Sequence, residues 1–135
     1  MAHLTCVNSS EAEINSTLSR LQDRGIENIL ALRGDVPQQE GHDIRQEAFH
    51  HSNELIRHIR KNYDFCLGAA AFPEGHKESR TLQEDTNCMK MKAAAGADFF
   101  ITQLFFDNRY YFDLIERTKK TILYLDIFFL WASKY

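Results

Sequence analysis

Four short stretches bring together side chains able to bind and polarise a ligand. His3 and Thr5 precede Asn8, Arg33-Gly34-Asp35 stand together, Glu74-Gly75-His76 follow Pro73, and Thr102-Gln103 come before Asp107. Together they supply an acid, a guanidinium, imidazoles and an amide, the donors and acceptors of a polar site. Gln103 is the most informative, because it interrupts an apolar run. A buried, unpaired amide costs roughly 1–3 kcal/mol, so Gln103 calls for a partner or a ligand. Arg33 and Asp35 can equally bond each other and the loop backbone. His50, His51 and His58 fall in a helical stretch where no carboxylate or cysteine completes a metal spacing, so they read as solvated or packed and no metal site is expected. Lys90 and Lys92 are two apart on a helix and cannot share a face, so at most one points into a site. GxGxxG, P-loop and GxSxG patterns do not occur.

These groups are positioned by short apolar runs that alternate with stretches of helical period, the pattern of a parallel α/β protein. Residues 4–7 form the first run. Ser9 or Ser10 then caps a helix carrying Ile14, Leu18 and Leu21, which Gly25 ends. The second run, residues 28–32, leads through Arg33-Gly34-Asp35 into a long polar loop through Gly41. A helix marked by Phe49, Leu55, Ile56, Ile59 and Tyr63 follows. The third, residues 65–72, is rich in alanine and leaves the sheet at Pro73, which has no N–H to donate. A helix over 82–95 ends at Gly96, where a left-handed cap is needed. The fourth run, residues 98–106, reads as a strand buried on both faces. Asp107 or Asn108 caps a helix burying Tyr111, Leu114 and Ile115, and residues 121–131 have the character of a fifth strand. In such folds chemistry gathers at the carboxyl ends of the strands, where the polar stretches fall.

The bulk properties exclude several classes. The chain has 135 residues, 44% hydrophobic and 26% charged with six glycines and two prolines, so it is globular rather than disordered. A formal charge of -3 provides no basic footprint for nucleic acid. Three cysteines, Cys6, Cys66 and Cys88, are odd in number and lack a CxxC, which suits reduced thiols and a cytoplasmic location. The first ten residues are no secretory signal, and the apolar run 122–131, broken by Asp126, is too short for a bilayer span of about 20 residues, so no membrane association is expected.

Four blocks, HLTCVN, NILALRGDVP, AAFPEGH and KAAAGADFFITQLFFDN, occur in an order and at a spacing that resemble the methylenetetrahydrofolate reductase family from His3 to about Lys119. The resemblance implies a partial (β/α)8 TIM barrel of about four parallel strands, spanning residues 1–120, with a divergent apolar tail at 121–135. It implies FAD as cofactor, NAD(P)H as electron donor, and reduction of 5,10-methylenetetrahydrofolate to 5-methyltetrahydrofolate in one-carbon metabolism. His3, Arg33, Gly34 and Asp35 match residues that touch FAD, with Asp35 also beside the folate pterin, where a carboxylate stabilises a cationic iminium. His51 and Ser52 match a position that usually reads Tyr-Ala and approaches the cofactor. Phe72 replaces a common tyrosine, which removes a hydroxyl but keeps a stacking ring. His76, Asp85 and Lys92 match further FAD contacts, the lysine suited to the pyrophosphate. Cys88 and Met91 replace an Asn and an Arg. Gln103 matches the residue that binds folate or nicotinamide.

A barrel usually takes about 200 residues or more. The family's general-acid glutamate on the first strand and a flavin-contacting threonine on the second have no counterpart, so the chain reads as strands three to six. The tail reads as the product of a truncated or shifted frame. An open half-barrel exposes strand edges and apolar interior, which predicts poor solubility, homo-oligomerisation or dependence on a complementary fragment. The rival readings are a non-catalytic remnant or interaction module without flavin, and a barrel flavoprotein with another substrate.

Overall fold

A computed structural model of the chain describes residues 1–35 and 48–119 and the backbone of 126–128. Strands and helices alternate along it, and the paired strands are parallel, the arrangement of a partial (β/α)8 barrel. The chain divides into two compact units, 1–67 and 68–135.

In the first unit β1 (Ala2–Thr5) pairs with β2 (Asn28–Leu32), His3 opposite Leu30 and Thr5 opposite Leu32. Leu4 is buried while His3 and Thr5 are exposed, so the two polar residues share one face. Between the strands lies α1 (Glu11–Asp23). Of the two candidate caps, Ser10 is the one used: its Oγ accepts from the Glu13 N–H at 3.3 Å, and Glu13 Oε2 accepts from the Ser10 N–H at 2.8 Å. Gly25 ends the helix at φ 70°, its N–H on the Gln22 carbonyl. Helix α2 (Ser52–Asn62) buries Leu55, Ile56 and Ile59, and with Ile14, Leu18 and Ile29 these make this unit's core. His58 is packed: its Nε2 lies 2.7 Å from Asn15 Oδ1 and its ring 5.0 Å from Phe49.

The second unit begins within β3 (Cys66–Ala71), which from Gly68 onward runs parallel to β4 (Phe99–Thr102), itself parallel to β5 (Asp126–Phe128). The small side chains of β3 are largely buried. Helix α3 (Leu82–Ala95) starts at Thr81, whose Oγ1 accepts from the Glu84 N–H, and ends at Gly96 with φ 111°, the left-handed cap expected there. Asp107 Oδ1 accepts from the Arg109 N–H at 2.9 Å at the start of α4 (Asn108–Lys119). Met89, Phe100, Phe105 and Leu114 supply the large apolar groups of this core.

Several expectations change in detail. β4 stops at Thr102 and alternates between buried and half-buried residues instead of being buried on both faces, so Gln103 is exposed and carries no burial cost. Its backbone still prolongs the ladder, the N–H donating to the Ala71 carbonyl at 2.7 Å. On α4 only Leu114 of the three expected residues is fully buried; Tyr111 stacks on Phe105 at 6.1 Å and Ile115 is half-buried. The fifth strand exists over 126–128, while the rest of the tail, like the loop at 36–47 through Gly41, lies outside the described residues. No helix among the described residues is long and apolar enough to cross a membrane. Cys6 is buried, Cys88 half-buried and Cys66 exposed, and no disulfide joins them.

Candidate functional site

In the first unit the exit of β2 is tied to the continuation of β1. The Arg33 carbonyl accepts from the N–H groups of Cys6 (3.2 Å) and Val7 (2.9 Å), which draws residues 33–35 alongside Thr5. Gly34 is required there twice over. Its φ is 88°, and a Cβ would stand 3.2 Å from Thr5 Cβ and 3.5 Å from Val7 Cβ. The backbone therefore turns without a side chain and presents the exposed Asp35, with Arg33 half-buried before it. His51 is the N-cap of α2 and Ser52 its first residue. Glu54 Oε2 accepts from the N–H groups of His50 and His51, which orders that helix start.

In the second unit the residues after β3 form one connected group. Phe72 meets His76 edge to face at 4.6 Å. Lys92, three turns into α3, donates from Nζ to the Ala70 carbonyl at 2.8 Å and lies 5.8 Å from the Phe72 ring centre. Burial of the ammonium holds the Lys92 pKa below that of an ordinary lysine, opposed by the nearby Cys88 and Asp85 charges. His76 Nδ1 accepts from the Glu78 N–H at 3.2 Å, so the neutral imidazole carries its proton on Nε2. Asp85 is buried beneath this turn. Its Oδ2 accepts from the His76 N–H and its Oδ1 from the Ser79 hydroxyl, each at 2.8 Å. Gly75, at φ 94°, lets the turn pass so close to Asp85 that a Cβ would stand 3.2 Å from Oδ2.

The structure thus joins Phe72, His76, Asp85 and Lys92 in one contact chain at the carboxyl end of β3, with Gln103 exposed at the end of neighbouring β4. Arg33, Gly34 and Asp35 lie where β2 runs on beside Cys6 and Val7, while His3 stands earlier in β1, opposite Leu30. Asp85, expected beside a cofactor, uses both oxygens on its own turn. One residue was not legible as part of this group: Arg117 of α4 donates from Nη2 to the Pro73 carbonyl at 3.2 Å and from Nη1 to the Leu82 carbonyl at 3.1 Å. Its i,i+4 relation to Asp113 is visible in sequence; carbonyls 35 and 44 positions away are not.

Residues 1–129 match the family described as "Methylenetetrahydrofolate reductase". The chain belongs to the methylenetetrahydrofolate reductase family. It is 34% identical to "Methylenetetrahydrofolate reductase 1" of Schizosaccharomyces pombe over 128 residues, 93% of this chain and 21% of that protein. It is 42% identical to "Methylenetetrahydrofolate reductase 2" of the same yeast over 114 residues, 78% of this chain and 18% of the relative. The "5,10-methylenetetrahydrofolate reductase" of Pectobacterium carotovorum is 34% identical over 125 residues, 93% of this chain and 40% of that protein. The chain spans between 16% and 41% of the length of methylenetetrahydrofolate reductases it matches. The matched region contains both groups of strand-end residues described above.

Proposed function

We propose that this chain forms part of the FAD-binding wall of a methylenetetrahydrofolate reductase, an oxidoreductase that reduces 5,10-methylenetetrahydrofolate to 5-methyltetrahydrofolate with NADH or NADPH. The family match over residues 1–129 carries this reading. FAD supplies a carrier that takes up a hydride from the nicotinamide and releases it to the folate.

The side chains present fit such a group. Lys92 has three donor directions, of which the Ala70 carbonyl takes one, so its partly desolvated ammonium can also hold a pyrophosphate oxygen. The Phe72 ring offers a flat apolar face and the His76 imidazole a donor at Nε2. The first unit contributes its own residues: His3 of β1 and Arg33 after β2 as donors, Gly34 as a place of close backbone approach, and Asp35 as the negative charge that favours a cationic iminium. His51 and Ser52, at the start of α2, extend the cofactor contact, and Gln103 orients folate or nicotinamide. Asp85 acts indirectly, by holding the turn that carries His76. Cysteines not joined by disulfides suit a reducing cytoplasm.

Titrating the purified chain into FAD and following flavin fluorescence tests the reading. Saturable quenching and a yellow protein are expected, and folate-dependent reoxidation of the reduced flavin would separate this substrate from others. A colourless protein that leaves flavin fluorescence untouched would sink the cofactor assignment and favour a non-catalytic module that keeps the fold.

A further inference from the structure

The connection from β3 to α3 contains neither helix nor strand between Phe72 and Thr81, yet it carries the Phe72–His76 pair. Its shape therefore depends on fastenings. Asp85 secures the middle through the His76 N–H and the Ser79 hydroxyl. The two ends are secured from another element altogether. Arg117 of α4 donates to the Pro73 carbonyl, where the chain leaves β3, and to the Leu82 carbonyl, where α3 begins, with Thr86 Oγ1 a further 3.4 Å acceptor. Its Nε is held by Asp113 at 2.7 Å, and its side chain is only 17% exposed although Asp113 is 52% exposed. A planar guanidinium offers donors in fixed, divergent directions and can span these acceptors; an ammonium acts from one point.

We propose that Arg117 is a positioning residue for cofactor binding: by closing both ends of the β3–α3 connection it keeps Phe72 and His76 in the arrangement that faces the flavin. The inference rests on the flavin reading, and its own signature lies in the imidazole of His76. While the ends are held, the Glu78 N–H stays on Nδ1 and the neutral ring remains in one tautomer. Released, the ring exchanges between tautomers in water.

The experiment compares wild type, Arg117→Met and Arg117→Lys in the full chain, by the 15N tautomer pattern of His76 and by FAD titration. Arg117→Met is expected to average the His76 pattern and to weaken FAD binding on the order of tenfold, the scale of losing hydrogen bonds made by a charged group. Arg117→Lys, which keeps the charge and a partner in Asp113, is expected to fall short of wild type in both readouts, and it decides the matter if Arg117→Met does not fold. Wild-type tautomer pattern and FAD affinity in Arg117→Lys, or in a folded Arg117→Met, overturn the proposal. If wild type itself ignores FAD the flavin reading fails separately, while an averaged His76 pattern in the variants still marks Arg117 as what holds the turn.

Discussion

Lys92 shows how one side chain can tie cofactor affinity and folding to pH in opposite senses. Its folded pKa lies below the ordinary value of 10.5 because the ammonium is desolvated. Between the folded and unfolded values the unfolded chain binds more protons, so the Lys92 contribution to stability improves as pH rises through that window. A cation gripping a phosphate behaves the other way and lets go as it deprotonates. FAD affinity should therefore fall as pH rises through the lowered folded value toward 10.5 while the urea midpoint gains a favourable increment, and Lys92→Arg should remove both dependences because a guanidinium stays charged. Flavin titrations and urea melts across that range provide the check; an affinity profile shared by wild type and Lys92→Arg would exclude Lys92 as the pH-sensitive phosphate ligand. At this scale the chemistry-bearing residue types were readable, but their surroundings were not. Gln103 reads as buried from its apolar neighbours, yet β4 ends at Thr102 and leaves it in solvent.

Among the elements, the helix boundaries were the most legible, because they depend on neighbours within a turn. Ser10, Gly25 and Gly96 act through contacts spanning five residues or fewer, as does Thr81, which was not singled out from the sequence. Two consequences are measurable. Thr81→Ala should cost about 1 kcal/mol in chemical unfolding by removing the N-cap of α3. Hydrogen bonds from the Ser10 backbone and hydroxyl hold the Glu13 carboxyl below its usual 4.5, so its contribution to stability is present above that value and is lost as pH falls through the lowered folded one. In Ser10→Ala the acid limb of a thermal-stability profile should be shallower than in wild type; superimposable profiles would mean the capping box does not set it. The strands were less legible, since their ends depend on partners far along the chain.

For the molecule as a whole, the exposed apolar side chains are informative. Leu104 (42%), Phe106 (62%), Tyr110 (42%) and Phe112 (64%) are solvent-exposed over nine residues of the second unit. Large exposed aromatics favour association. Sedimentation velocity should show concentration-dependent self-association that the double variant Phe106→Ser, Phe112→Ser reduces. A wild-type chain that stays monomeric through the millimolar range would remove the association argument.

The sequence by itself determined the alternation of strands and helices, a serine cap at the start of the first helix, the glycine helix ends at Gly25 and Gly96, and the family, because each is written in local spacing or in an ordered set of short blocks. Tertiary structure alone decided that Asp85 serves its own turn, that Gln103 is exposed, and that Arg117 reaches back to Pro73. The physical reason is the same in each case. A hydrogen bond between residues dozens of positions apart depends on how elements pack, and a side chain's type does not say which distant carbonyl the fold will set before it.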